Sequence, residues 1–243
     1  MSVLKKHQDP IGQACWDYLN GITGESILVR TDIAEDEHLS PAYFFREYQQ
    51  MPIQEQEALK RVKGNVLDVG AGAGAHTLWL QQKGYKVDAI EISPLLCDTM
   101  RRRGVSNVLL KDVYFLKDRK YDTILLLMNG TGVAQTLQGL EKLLLHLKSL
   151  LNAGGKILAD SSDLLYLFTD ENGDTWIDVA SDTYYGEMQY QLSYKNIQGK
   201  TFPWLFVDPD TFIDIATRIG FTNIDKVTGS HYDYLIEIAQ QDT

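Results

Sequence analysis

The sequence predicts an α/β fold built on a doubly wound parallel sheet, and three observations predict it. Residues 64–74, Gly-Asn-Val-Leu-Asp-Val-Gly-Ala-Gly-Ala-Gly, run from a short apolar stretch into a turn of alternating glycines, and a helical pattern follows from about Ala75. Strand-like and helix-like stretches alternate from there to residue 160, as parallel strands joined by crossover helices require. Residues 121–127 read as an apolar run, as a central strand buried on both faces should.

Taken in order, residues 11–20 place Ile11, Ala14, Cys15, Tyr18 and Leu19 at helical spacing, with Gly21 as the stop. Residues 26–30 read as a short strand, and the acidic stretch 32–38 as a solvated loop. Pro41 opens a short helix rich in aromatic residues, and Pro52 opens another over 53–62. Residues 1–63 are therefore expected to form a helical cap on the same domain, and residues 64–243 the main domain. In the latter, strand 65–69 leads to helix 75–83, and strand 86–91 to helix 94–103, with Ser93 as N-cap and Gly104 as C-cap. Strands 107–111 and 121–127 follow, then helix 136–151 with a broad leucine stripe, the turn Asn152-Ala153-Gly154-Gly155, and strand 156–160. The pattern changes at an insertion, about 162–207. Tyr184, Gly186, Met188, Tyr190, Leu192 and Tyr194 alternate in one phase, and 200–207 is extended, so a β-hairpin turning at Ile197-Gln198-Gly199 is expected. Helix 209–219 and strands 221–227 and 232–239 close the chain.

Composition narrows the function. At 243 residues and 44% hydrophobic, the chain can bury a sizeable core. A net charge of −10 disfavours a broad nucleic-acid surface, which needs clustered Lys and Arg. Arg101-Arg102-Arg103 fits a helix end better than a binding patch. Two cysteines, Cys15 and Cys97, form no disulfide framework and suit the cytoplasm. The N-terminal residues lack the apolar core of a signal peptide, and no apolar run reaches the ~18 residues of a membrane span. The histidines show no metal-ligand spacing, so no metal is expected. The oligomeric state, monomer or homodimer, stays open.

The glycine turn points to a ligand, and the acids around it say which. Gly70, Gly72 and Gly74 let a ligand approach the backbone, and the following helix aims free N–H groups at it. Asp68, two residues earlier, would repel a pyrophosphate and suits a cationic amine. Glu91 ends the next strand, where a carboxylate accepts both hydroxyls of a ribose. Asp112 ends the third strand, placed for an adenine amino group. Amine, ribose and adenine in chain order fit S-adenosyl-L-methionine. A nicotinamide-dependent oxidoreductase shares the strand–glycine–acid logic, but it lacks support from Asp68, from the glycine spacing and from any Tyr-x-x-x-Lys pair.

These motifs, with Tyr121-Asp122-Thr123-Ile124-Leu125-Leu126-Leu127-Met128-Asn129-Gly130, resemble those of the class I S-adenosylmethionine-dependent methyltransferases over about 64–160. The resemblance implies a Rossmann-like, mostly parallel seven-stranded sheet with an antiparallel last strand. It adds Ala71, Ile92, Val113, Met128 and Asn129 to the cofactor contacts; His76, at the first turn after the glycine loop, either touches the cofactor tail or sits at the rim. It also implies an N-terminal segment that closes over the site, so Tyr43 and Arg46 become candidates; Arg46 is either a partner of the cofactor carboxylate or a surface residue.

The acceptor side is less defined. Asn129 should lie beside the transferred methyl group, yet the Asn/Asp-Pro-Pro-aromatic motif of relatives that methylate nucleic acids is replaced by Asn129-Gly130-Thr131-Gly132. Those glycines either bring backbone close to the ligands or form an ordinary loop. Asp160 and Asp163 could orient an amine or serve as base, or else cap turns; Tyr185 could wall the pocket. The expected function is methyl transfer to a small molecule. The rival from another class is a methyltransferase-like protein that binds cofactor or partner without catalysis.

Overall fold

Side-chain caps set where this chain turns helical. The Asp9, Ser93, Thr136 and Asp208 side chains each accept a backbone N–H in the first turn that follows, satisfying donors a helix leaves open. In chain order the first elements are α1 (Pro10–Leu19), β1 (Ile27–Thr31), β2 (Glu37–Leu39), α2 (Ile53–Lys60), β3 (Asn65–Val69), α3 (Ala75–Gln82), β4 (Lys86–Glu91) and α4 (Pro94–Arg103). Then come β5 (Val108–Leu110), β6 (Tyr121–Leu126), α5 (Leu137–Ser149) and β7 (Leu151–Ser162). The last are β8 (Glu187–Tyr194), β9 (Ile197–Gln198), β10 (Phe202–Leu205), α6 (Pro209–Arg218), β11 (Asn223–Thr228) and β12 (Asp233–Ala239). The structure is a computed structural model and describes residues 3–170, 172–176 and 183–240.

The described residues build two sheets. The larger has seven strands in the order β11-β12-β7-β6-β3-β4-β5. Strands β5, β4, β3, β6 and β7 pair in parallel, while β12 runs antiparallel to both β7 and β11. The chain moves outward from β3 through β4 to β5, then returns to the other side of β3 as β6. Strand order therefore reverses between β3 and β6, and a crevice opens there beyond the strands' carboxyl ends. On one face, Leu140, Leu143, Leu144 and Leu147 of α5 pack with Leu126, Ile157, Ile236 and Phe212. On the other, Ala58, Leu59 and Leu80 cover Leu125, Leu158 and Leu235. Gly104 ends α4 with φ 94, so the arginines before it lie in the last turn, where they complement the helix dipole.

The second sheet departs from the sequence expectation. Ile197 and Gln198 pair with Tyr194 and Ser193, so the hairpin reverses earlier, with Lys195 at φ 52. Strand β1 pairs with β8 on one side and β2 on the other, giving the order β10-β8-β1-β2 with β9 beside β8. Residues 37–39, expected as loop, are thus an edge strand. Their polarity is that of an edge, which faces water and resists further pairing. The segment before residue 64 is accordingly helix and strand together. Pro41–Phe45 forms a 3₁₀ turn instead of an α-helix. Lys195 Nζ and the Tyr194 hydroxyl both donate to Asp17, at 2.5 and 3.2 Å, tying the inserted hairpin to α1. Among the described residues no helix is long and apolar enough to cross a membrane.

Leu143 has no exposed surface. Leu143→Ala should lower stability by about 2–5 kcal/mol in urea unfolding, the range for a core cavity. A loss under about 1 kcal/mol would mean that α5 is not packed as described.

Candidate active site

The glycine turn needs its glycines. Gly70, Gly72 and Gly74 have φ of 70°, 57° and 83°, a region L side chains rarely adopt. A Cβ on Gly74 would also meet Val105 at 3.0 Å and Met100 at 3.1 Å. Buried Ala71 packs in the cluster of Cys97 and Met100.

Glu91 folds back over this turn. One carboxylate oxygen accepts the Ile92 and Ser93 N–H groups at 2.7 and 3.0 Å, and the other accepts Gly72 N–H at 3.1 Å. Burial pushes its pKa up to about 7 against those donors. Asp112, also buried, accepts Tyr114 N–H at 3.0 Å and caps the short turn Val113–Phe115; Val113 is buried beneath it. Asp68 accepts the Thr77 hydroxyl at 2.6 Å. Burial raises its pKa too, with the His76 charge and the Thr77 bond opposing.

His76 and Arg46 meet on a residue that the sequence did not single out, Glu55 at the start of α2. Arg46 Nη2 donates to both Glu55 oxygens at 2.9 and 3.0 Å, and His76 Nε2 lies 2.6 Å from Glu55 Oε2. Burial works against a charged imidazole. The Glu55 hydrogen bond and the charges of Glu55, Asp68 and Asp160 outweigh it and hold the His76 pKa above the ordinary value. His76 is therefore an ion-pair partner of Glu55, and that nitrogen is already engaged. Arg46 is only 9% exposed, which removes the surface alternative. Its Nε and Nη1 have no hydrogen-bond partner among the described residues, so they have the donor chemistry to take a carboxylate. The Tyr43 ring covers the guanidinium, 3.5 Å from its central carbon.

After β6 the backbone turns sharply. Met128 and Asn129 have φ of 63° and 53°. Asp160, at the end of β7, holds them there: it accepts Met128 N–H at 3.1 Å and Asn129 N–H at 2.7 Å. Burial and the charge of Glu55 push the Asp160 pKa to about 7. Asn129 Oδ1 accepts the Ser162 hydroxyl at 3.0 Å. Beside this turn lies an open cleft of about 230 Å³. Its walls include Tyr43, Glu55, Asn129, Asp160, Asp233 and Tyr234.

Three sequence candidates find other employment. Asp163 accepts Leu165 N–H at 2.9 Å and the Tyr185 hydroxyl at 2.8 Å, capping the turn Leu164–Phe168. Neither Asp163 nor Tyr185 is among the residues lining the cleft. Gly132 makes room for Trp204 of β10, whose ring would lie 1.9 Å from an added Cβ. Glu55, Gln54 and Asp233 escaped notice because each sits in a stretch that reads as an ordinary polar face.

Comparison with known proteins agrees with this geometry. A methyltransferase-domain family model matches residues 42–226. A solved S-adenosylmethionine-dependent methyltransferase from Bacteroides fragilis, in complex with S-adenosyl-L-homocysteine, is 37% identical, with TM-score 0.91, over 99% of this chain and 98% of that one. The CcbJ methyltransferase from Streptomyces caelestis is 15% identical over 79% of this chain and 91% of its own, with TM-score 0.59. The sugar N-methyltransferase KedS8 from Streptoalloteichus is 14% identical over 82% and 88%, with TM-score 0.54. These last two share the fold alone. Comparison with curated protein sequences returns no match. The full-length likeness to the Bacteroides enzyme favours methyl transfer over hydride transfer or binding without turnover, and the chain belongs to the S-adenosylmethionine-dependent methyltransferases.

Proposed function

We propose that this enzyme methylates a small molecule bound in the cleft beside Asn129 and Asp160. The observation that carries the reading is Arg46, a buried guanidinium with two N–H groups unpartnered among the described residues. Leaving such donors dry is costly, and a carboxylate-bearing ligand under Tyr43 relieves that cost. S-adenosylmethionine carries such a carboxylate. Asp68 and the glycine turn take its amine end, Glu91 its ribose and Asp112 its adenine, with Ala71, Ile92, Val113 and Met128 alongside. When bound, the cofactor supplies a methyl group already activated by its sulfonium. The chain's part is to align the acceptor and keep water out. Asp160 fixes the turn at 128–129, and Tyr43 together with the N-terminal segment walls one side of the cleft, whose modest size suits a small acceptor better than a polymer. Two buried free cysteines suit a cytoplasmic setting.

Two measurements test the cofactor roles. Arg46→Lys should keep the ion pair with Glu55 but lose the spare Nε and Nη1 donors. Calorimetry should then show S-adenosylmethionine binding weakened by roughly 10- to 100-fold, the scale of a hydrogen bond to a charged group. Binding of 5′-methylthioadenosine, which lacks the carboxylate, should barely change. Equal losses for both ligands would take Arg46 away from the carboxylate. The second test is pH. The ribose hydroxyls of 5′-methylthioadenosine donate best to ionised Glu91, and the ligand has no titrating amine. Its affinity should rise about tenfold from pH 6 to pH 8, as a group near 7 ionises, and Glu91→Gln should flatten that rise. A flat profile in the parent protein would remove Glu91 from the ribose site.

A further inference from the structure

The charged side chains lining the cleft are of one kind. Glu55, Asp160 and Asp233 face it, with His231 beside them, and no Lys or Arg is among the lining residues. Glu55 is committed to Arg46 and His76. Asp233 takes the Gln54 amide and, at 2.8 Å, the His231 backbone N–H. Asp160 is held by backbone N–H groups and has no ion pair among the described residues. It is thus a nearly buried carboxylate that opens on the cleft with no cation in direct contact, the nearest charge of that sign being the His76 imidazole paired to Glu55.

Two aromatic side chains line the cleft, Tyr43, 38% exposed, and Tyr234, which is buried.

We propose that the methyl acceptor is an amine with an apolar body, captured as an ammonium ion by Asp160, with Asp233 adding negative charge and Tyr43 receiving the body. This rests on the methyl-transfer reading above and narrows its substrate. An acid acceptor would meet repulsion from Asp160 and Asp233, and a neutral alcohol would leave Asp160 without an ion-pair partner. The chemistry balances. One ammonium proton passes to the Asp160 carboxylate. The freed nitrogen lone pair forms the N–C bond while the C–S bond breaks, its electrons remaining on sulfur. The products are an N-methylammonium ion and a neutral thioether, and Asp160 returns its proton to solvent. Burial and the Glu55 charge hold Asp160 at about 7, where it exchanges a proton readily at neutral pH.

The test is calorimetric titration of protein saturated with S-adenosylhomocysteine, using benzylamine, benzyl alcohol and benzoate as probes. Benzylamine should bind about tenfold or more tighter than benzyl alcohol, as expected of a charge-assisted contact, and benzoate should not bind. Asp233→Asn should narrow the gap between benzylamine and benzyl alcohol while leaving S-adenosylhomocysteine affinity alone. Equal binding of benzylamine and benzyl alcohol, a preference for benzoate, or binding of no probe overturns the amine assignment. The preceding S-adenosylhomocysteine titration reads the cofactor site separately, so its failure would count against the methyl-transfer geometry instead.

Discussion

The Glu55 carboxylate joins parts of the chain that lie far apart in sequence. It sits on α2, takes the Arg46 guanidinium from the turn before it, and takes His76 from the helix behind the glycine loop. A carboxylate 2% exposed would cost several kcal/mol if left alone. Between two cations it is compensated, and the compensation is geometric as well as electrostatic. The N-terminal segment cannot swing off the sheet without stranding a charge, and His76 cannot turn toward the ligand without giving up its partner. The roof of the site and the turn that cradles the cofactor are therefore fixed together.

The acids at the sheet's rim pay for function with stability. Glu91 and Asp160 both have folded-state values near 7, above those of ordinary carboxyl groups. A raised carboxyl value favours the folded chain at low pH, and that contribution is lost as pH rises through about 7. At neutral pH these side chains are thus partly ionised in a place that disfavours charge. Under the proposed function, ligands that bring hydroxyls, amines or a sulfonium would relieve the strain, and free energy given up in the cofactor-free fold would reappear as binding. The backbone N–H groups around each acid limit the cost without removing it.

Local chemistry made much of this legible in advance. The strand, the glycine turn and the positions of Asp68, Glu91 and Asp112 at the ends of successive strands are each encoded within a few residues, so their places in the fold could be read from the sequence. The helix boundaries followed from Ser93, Gly104 and Asp208 for the same reason. What stayed hidden depends on distant partners. Glu55 lies in Gln54-Glu55-Gln56-Glu57, which reads as a solvated helix face until Arg46 and His76 are brought to it. Gly132 looked like a loop glycine near the ligand, whereas its lack of a side chain serves Trp204. The pairing of β1 with β8 joins residues far apart in the chain, and no local alternation specifies a partner. Asp163 offered both a chemical and a capping role, and its bonds to Leu165 and Tyr185 are those of a cap.

This division has a consequence for how such a site acquires its substrate. In the proposed reading the cofactor half is local: the strand ends from Asp68 to Asp112 would supply most of it, and they are held by the parallel core. The proposed acceptor half is drawn from remote pieces: Tyr43 and Glu55 before the sheet, Asn129 and Asp160 at its centre, Asp233 at its end. A change in any one of those pieces alters the charge or shape of the cleft without touching the glycine turn. Under the same proposal Asp160 serves both halves, because it fixes the turn at Met128 and Asn129 while lining the cleft. Substitution there would disturb both at once, whereas Asp233 lines the cleft without holding that turn or Arg46. Specificity would then rest on side chains that the core does not need, arranged around one that it does.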